Sequence, residues 1–198
     1  MGAIFTSPGR TVAAGVVVLI IIIAILHVTG AKAFALDHNW GLLVMRWLHI
    51  VTGVLWIGLL WYLNFVQVPT MPKIQPPEHT AAINKFIAPR VLFFFRHAAL
   101  ATVITGLLLA AMSPGNYLVN ALTLAPSHRG IGIGMWMALI MAFNVWFLIW
   151  PNQQKILGLV PATDAEKAKA RPIALYASRF NTMFSLGMLY CMAVQSHG

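Results

Sequence analysis

Cysteine and acidic residues are both scarce in this chain. Its single cysteine, Cys191, cannot build a disulfide framework or a thiolate metal site, because each needs several cysteines. No Cys-x-x-Cys-His motif is present, which excludes a covalently attached c-type haem. Only four residues are acidic, against thirteen Lys and Arg, so the net charge is +9. A transporter that couples its substrate to ions needs acidic groups and an inverted repeat, and the sequence offers few of the former and none of the latter.

The composition is that of an integral membrane protein. Hydrophobic residues make up 60% of the chain, charged residues 9%, and the mean hydropathy is +0.80. The positive charge does not indicate nucleic-acid binding, because neither a glycine-rich phosphate loop nor an aromatic-basic strip accompanies it. An excess of Lys and Arg is instead typical of cytoplasmic loops between membrane helices. The lipid bilayer is therefore the first predicted partner.

Apolar runs of about 20 residues, the length needed to cross a bilayer, occur five times. The sequence therefore predicts an all-α bundle of about five transmembrane helices forming one membrane domain over residues 1–198. The first run lacks a small-residue cleavage site of the signal-peptide type, so we expect a retained helix. The predicted helices are Thr11 to Ala31, Trp40 to Val66, Ala88 to Met112, Ile131 to Trp150, and Ala174 to Gln195.

The distribution of basic residues predicts the orientation. Eight of them share the side of the N-terminus, whereas Lys32 and Arg129 lie on the other side. This excess predicts a cytoplasmic N-terminus and an external C-terminus in a multi-pass protein of a bacterial-type inner (cytoplasmic) membrane. The eight are Arg10, Lys73, Lys85, Arg90, Lys155, Lys167, Lys169 and Arg171.

The segment from Pro69 to Pro89 is predicted to be a loop. It contains five prolines, and proline in a helix interior removes a hydrogen bond and clashes with the preceding turn. The sequence therefore predicts that no long helix crosses this segment.

Histidine and arginine inside the apolar runs are the candidate functional groups. Arg46 and His49 lie three residues apart and so share one helix face. Ionisable groups at membrane depth cost at least ~2.5 kcal/mol each, so they usually point into a bundle, a cavity or a cofactor. His27 is predicted in the same outer half of the membrane as His49, and His97 follows Arg96 in the third helix.

These residues have the chemistry to hold a b-type haem. Imidazole is an axial ligand of haem iron, and membrane bundles hold haem between histidines on facing helices. We predict His49 as one ligand and His97 or His27 as the other, with Arg46 or Arg96 pairing with a propionate. The alternative is a histidine that only hydrogen-bonds a neighbouring helix, and glycines 53, 58 and 106 that only allow helices to pack. No histidine pair has the i, i+4 spacing of a metal site.

Four further polar residues fall in or beside the last two predicted helices: Asn144, Asn152, Arg179 and Asn181. The simpler interpretation is that Arg179 extends to the headgroups while Asn144 and Asn181 hydrogen-bond between helices.

Three motifs in order resemble one known family. They are Trp47-x-His49-Ile-x-x-Gly53-x-x-Trp56-Ile-Gly58, then Asn144 with Pro151-Asn152-Gln153, and then Ser178-Arg179-x-Asn181-x-x-x-Ser185. Over most of residues 40 to 197 the chain resembles the membrane domain of the cytochrome-c-linked urate oxidase (urate hydroxylase) family. A weaker similarity, in the Leu-His-Ile pattern at His49, extends to small haem-b membrane proteins of the protoporphyrinogen-oxidase type.

The resemblance implies an oxidoreductase module that passes electrons to a c-type cytochrome. His49 corresponds to the motif histidine, and the residues Asn144, Asn152, Arg179 and Asn181 match polar motif positions. Members of the family end in a cytochrome c domain that this chain lacks, so we expect that half to be missing or supplied by another subunit.

Two functions remain open. The first is a haem-b redox module, in which direct chemistry on urate ranks lower because Arg46 and Arg179 are predicted at opposite membrane faces. The second is a non-catalytic accessory subunit of a larger respiratory or photosynthetic membrane complex, whose polar residues only hold helices together. No catalytic residue can be named in either case.

Overall fold

A computed structural model describes residues 2–30, 35 and 37–195, and within them the chain is helical and contains no strand. Short helices, Gly2–Phe5 and Tyr117–Leu122, accompany five long ones. Residue contacts divide the chain into two units, residues 1–41 and 42–198. The long helices are α1 (Pro8–Val28), α2 (His38–Lys73), α3 (Pro77–Met112), α4 (Pro126–Ile156) and α5 (Asp164–Gln195).

Helix α1 belongs to the first unit and is apolar on all sides. None of its residues is buried, as suits a helix surrounded by lipid. It ends before Gly30, whose φ of 70° is the left-handed conformation that commonly terminates helices. The predicted end at Ala31 and the basic residue Lys32 lie outside the described residues.

Four of the long helices, α1 to α4, are long and apolar enough to cross a membrane, which is typical of a multi-pass membrane protein. The fifth predicted span lies within α5. That helix begins at Asp164, ten residues before the predicted start, and continues past Pro172. Five charged residues in its first eight positions, together with Arg179, Asn181 and neighbouring serines, make it more polar than the other four.

The segment from Pro69 to Pro89 is mostly helical, so the predicted loop is wrong. The prediction that no single helix crosses the segment is confirmed, because the chain is not helical at residues 74–76. Helix α2 runs on to Lys73, and α3 begins at Pro77, where proline is well placed in a first turn. The chain remains helical beside Pro69 and Pro89 because a π-helical segment ends two residues before each. The wider π turn changes the i to i−4 pairing that proline cannot make.

A third π-helical segment, Asn144–Ile149, precedes Pro151 in the same way. The segments in α2 and α3 are Tyr62–Gln67 and Ile83–Ile87. The same local solution therefore keeps α2, α3 and α4 continuous through their prolines.

Helices α2 to α5 share one apolar core in the second unit. Trp56 and Leu60 of α2 are fully buried, as is Met141 of α4, and Phe95 of α3 is 1% exposed. Helix α5 contributes Met188 to the same cluster and packs along α4. At that contact a Cβ on Gly134 would lie 2.8 Å from Cys191 Cβ, so glycine is required for the close approach.

The start of α5 is fixed by a reciprocal cap. The Thr163 amide and hydroxyl donate to Glu166 Oε2 at 2.8 and 2.9 Å, and the Glu166 amide donates to the Thr163 hydroxyl at 3.3 Å. This is the capping-box arrangement, which satisfies donors that the first helical turn leaves unpaired. The hydrogen bonds from Thr163 lower the pKa of the Glu166 carboxyl below its ordinary value.

We expect the first turn of α5 to loosen at acidic pH. Because the folded-state pKa of Glu166 is lowered, its contribution is complete above the unfolded pKa of about 4.3 and is lost as the pH falls through the folded value. Amide hydrogen exchange of residues 164–168 at decreasing pH measures this. Thr163→Ala should raise exchange at neutral pH, whereas Asp164→Asn, which removes only a 3.6 Å pair with Lys167, should not. Equal effects of the two variants would contradict the cap.

Candidate functional site

His49 belongs to α2, and its partly buried side chain contacts α3. Its Nδ1 is 2.9 Å from the carbonyl oxygen of Thr102 and 3.4 Å from the hydroxyl of Thr105. A carbonyl oxygen only accepts, so Nδ1 carries the proton and donates. In the neutral ring Nε2 then holds the free lone pair. Metal-binding histidines are commonly oriented in this way by a backbone carbonyl.

Gly106 of α3 makes room for the His49 ring. A Cβ at this position would lie 2.7 Å from His49 Cε1 and 3.0 Å from Nδ1, closer than real contacts allow. Gly53 has only an ordinary 3.7 Å neighbour, and Gly58 faces open space. Of the three glycines that the sequence singled out, Gly106 is therefore the one that the histidine requires.

A small cavity of about 30 Å³ adjoins His49 between α2, α3, α4 and α5. This volume holds a water-sized occupant. It is lined by His49, Thr102, Val103, Gly106, Leu107, Met135, Ala138, Leu139 and Met192.

His97, the predicted second ligand, is absent from that lining. Its Nδ1 lies 2.7 Å from the carbonyl oxygen of Phe93 in its own helix, and its ring meets Trp146 edge-on at 5.8 Å. His97 lies five residues before Thr102, which corresponds to about 7.5 Å along the helix axis. The structure thus gives His49 and His97 different surroundings and does not bring them together as ligands.

Of the two predicted propionate partners, Arg96 has other contacts. Arg96 Cζ lies 3.7 Å from the centre of the Trp150 ring and 5.4 Å from that of Phe93, so aromatic faces offset its charge. Arg46 is exposed on α2, one turn before His49. His27 is exposed on α1, in the first unit.

Tyr117, which sequence reasoning did not single out, lies in the segment between α3 and α4. Burial raises the pKa of its phenol, and the charge of Arg46 acts in the opposite direction. Its ring meets His128 edge-on at 4.7 Å. No motif marks Tyr117, because its neighbours come from separate parts of the chain.

A buried amide pair joins α4 to α5. Asn144 Nδ2 donates to Asn181 Oδ1 at 2.9 Å, and Asn181 Nδ2 donates to the carbonyl oxygen of Met141 at 2.9 Å. Asn181 is fully buried and Asn144 is 8% exposed. These two motif residues thus hydrogen-bond between helices.

Two further hydrogen bonds join α2 to α5. Asn64 Nδ2 donates to Ser178 Oγ at 2.8 Å, and Trp61 Nε1 donates to Ser185 Oγ at 3.0 Å. Sequence reasoning missed Asn64, although an amide within an apolar run is a detectable signal.

The remaining motif positions lie outside this buried set. Arg179 is exposed, and half-buried Asn152 donates to the carbonyl oxygen of Leu148 in its own helix at 2.7 Å.

Comparison with known proteins finds no match to this chain among protein-family models, curated proteins or solved structures.

We expect Gly106→Ala to displace the His49 ring and weaken its bond to Thr102. Overpacking of this kind costs about 1–3 kcal/mol, so the thermal unfolding midpoint in detergent should fall. Gly58→Ala is the matched control, since its new methyl group meets no atom within 4 Å. The same midpoint in both variants would show that Gly106 is not needed for the ring.

We expect Asn181→Leu to destabilise the bundle more than Asn152→Leu. The first change leaves the buried Asn144 amide without its acceptor, a loss of about 1–3 kcal/mol, whereas the second removes a bond within one helix turn. Unfolding in detergent by increasing denaturant measures the difference. If Asn152→Leu proves equally damaging, the amide pair does not hold α4 and α5 together.

Proposed function

We propose that this chain is a membrane-embedded redox module of the urate hydroxylase type, which holds a redox-active metal group at His49 and passes electrons to a c-type cytochrome. One observation carries the proposal: the His49 ring is fixed inside the bundle by the Thr102 carbonyl and keeps Nε2 available as a ligand. An ionisable side chain at this depth is uncommon unless it has a function.

The motif resemblance supports the same assignment. Its polar residues in α4 and α5 are separated widely in sequence, yet Asn144 pairs with Asn181, and both Ser178 and Ser185 accept bonds from α2. As part of this proposal α5 also crosses the bilayer, its polar side chains being turned toward these partners. The N-terminus then lies in the cytoplasm and the C-terminus outside, in a bacterial-type cytoplasmic membrane.

A b-type haem does not fit the residues around His49 as they are arranged. The adjoining cavity of about 30 Å³ is far smaller than a porphyrin, and no second histidine lines it. The group that this site accommodates is small. What the chain itself supplies is an oriented imidazole and a lining without carboxylates that four helices contribute.

The second candidate is a non-catalytic subunit of a larger membrane complex. The hydrogen bonds of Asn144, Asn181 and Ser185 favour it, because these bonds hold helices together without any ligand. The proposals differ in whether a redox centre copurifies with the chain.

A reduced-minus-oxidised visible spectrum with metal analysis and pyridine haemochrome quantitation, recorded on the full chain in mild detergent, separates them. We expect a redox-active centre near one per chain, which His49→Ala removes and Asn152→Ala retains. Material still bound to its native partners but without any such centre would overturn the redox module and favour the accessory subunit. A b-type haem signal that depends on His49 would support the module but contradict the size argument.

A further inference from the structure

The cavity beside His49 is lined by one histidine and two methionines among mostly aliphatic residues. Met135 of α4 and Met192 of α5 line it together with His49 of α2. Met135 is 8% exposed, and Met192 and His49 are partly buried. The other lining groups are aliphatic, apart from Gly106 and Thr102.

The polar group of the lining residue Thr102 is already used. Its hydroxyl donates to the carbonyl oxygen of Ala98 at 2.7 Å, and its own carbonyl accepts from His49 Nδ1. Among the lining residues, the candidate ligands for a soft ion are therefore the imidazole of His49 and the thioethers of Met135 and Met192.

These three donors are neutral and, in the case of the thioethers, soft. Thioether ligands select Cu(I), whereas Mg²⁺, Ca²⁺ and Mn²⁺ take carboxylate and carbonyl oxygens. No carboxylate lines the cavity, so a divalent cation there would have no negative side chain to compensate its charge. A singly charged soft ion has the smaller desolvation cost, and it also matches a volume of about 30 Å³.

We propose that His49, Met135 and Met192 bind one Cu(I) ion at the junction of α2, α4 and α5. The Thr102 carbonyl is the outer partner that holds the imidazole in its ligand tautomer. The inference rests on the proposed function in one respect, that His49 is a metal ligand. It adds the ion and the two sulfur ligands.

Methionine also fills gaps in apolar cores without binding anything, so the chain must provide a matched control. Met141 is fully buried in the core of α2 to α5 but does not line the cavity. Leucine replaces methionine with little change of volume, which makes Met→Leu a test of the sulfur atom alone.

The experiment is an anaerobic Cu(I) titration of the full chain in detergent, with bicinchoninate as competitor. We expect one Cu(I) per chain, and a fall in the association constant of at least about tenfold in Met135→Leu, Met192→Leu and His49→Gln. Met141→Leu should bind as the unchanged chain does. X-ray absorption at the copper edge should show sulfur scattering that weakens in Met135→Leu and Met192→Leu.

Cys191 provides a second control, because it is the chain's only thiol and adjoins Met192 in sequence. The Cys191→Ser variant should retain full Cu(I) binding. If this variant no longer bound Cu(I), the proposal would be overturned in favour of a thiolate site. If Met135→Leu and Met192→Leu bound Cu(I) as tightly as Met141→Leu, the copper site would be overturned as well. A b-type haem that depends on His49, without copper binding, would overturn the copper site and leave the redox module standing. If the chain held neither copper nor haem, both the copper site and the redox module would be overturned.

Discussion

The structure depends on one constraint: a polar group placed in an apolar bundle must find its partner within the protein. Helices α4 and α5 meet this constraint through two amides: Asn144 donates to the Asn181 carbonyl oxygen, and Asn181 donates to the Met141 carbonyl. In helix α2, Trp61 and Asn64 donate to serines of α5. Because each bond joins two helices, satisfying these groups also fixes the rotation of α5 against its neighbours. The Asn64 Oδ1 and the Trp56 indole N–H of helix α2 are buried without a hydrogen-bond partner among the residues that the structure describes.

The same constraint applies to the backbone. Pro69, Pro89 and Pro151 each leave an acceptor carbonyl without its usual amide partner, which would be costly in lipid. In each case the π-helical segment that ends two residues earlier rearranges the hydrogen bonds locally. A widened turn also moves the side chains that follow out of the α-helical register. Asn64 lies within one such segment and Asn144 begins another, so the prolines help to set where these two amides point.

The helical class and the first four membrane-length helices could be predicted from the sequence, because apolar runs of membrane length are a strong signal. The end of α3 at Met112 agrees with the prediction. The segment from Pro69 to Pro89 could not be predicted well, since proline indicates a break only where the preceding turn cannot adapt. At the site, His49 was predicted from its place in an apolar run, its spacing from Arg46 and the motif resemblance. Its partner Thr102 and the fit against Gly106 depend on how α2 is rotated against α3, which no local pattern encodes.

The predicted role of His97 shows why residue type alone does not define a ligand pair. His97 and His49 have the same side chain and lie in adjacent helices, but the bond to Phe93 and the contact with Trp146 hold His97 elsewhere. Arg96 likewise lies over Trp150, where an aromatic face provides the partner that a propionate was expected to provide. Four helices instead line the cavity beside His49 mostly with methionine and aliphatic residues. The neighbours that tertiary packing gives to His49, rather than the number of histidines in the chain, therefore decide which chemistry this site can carry out.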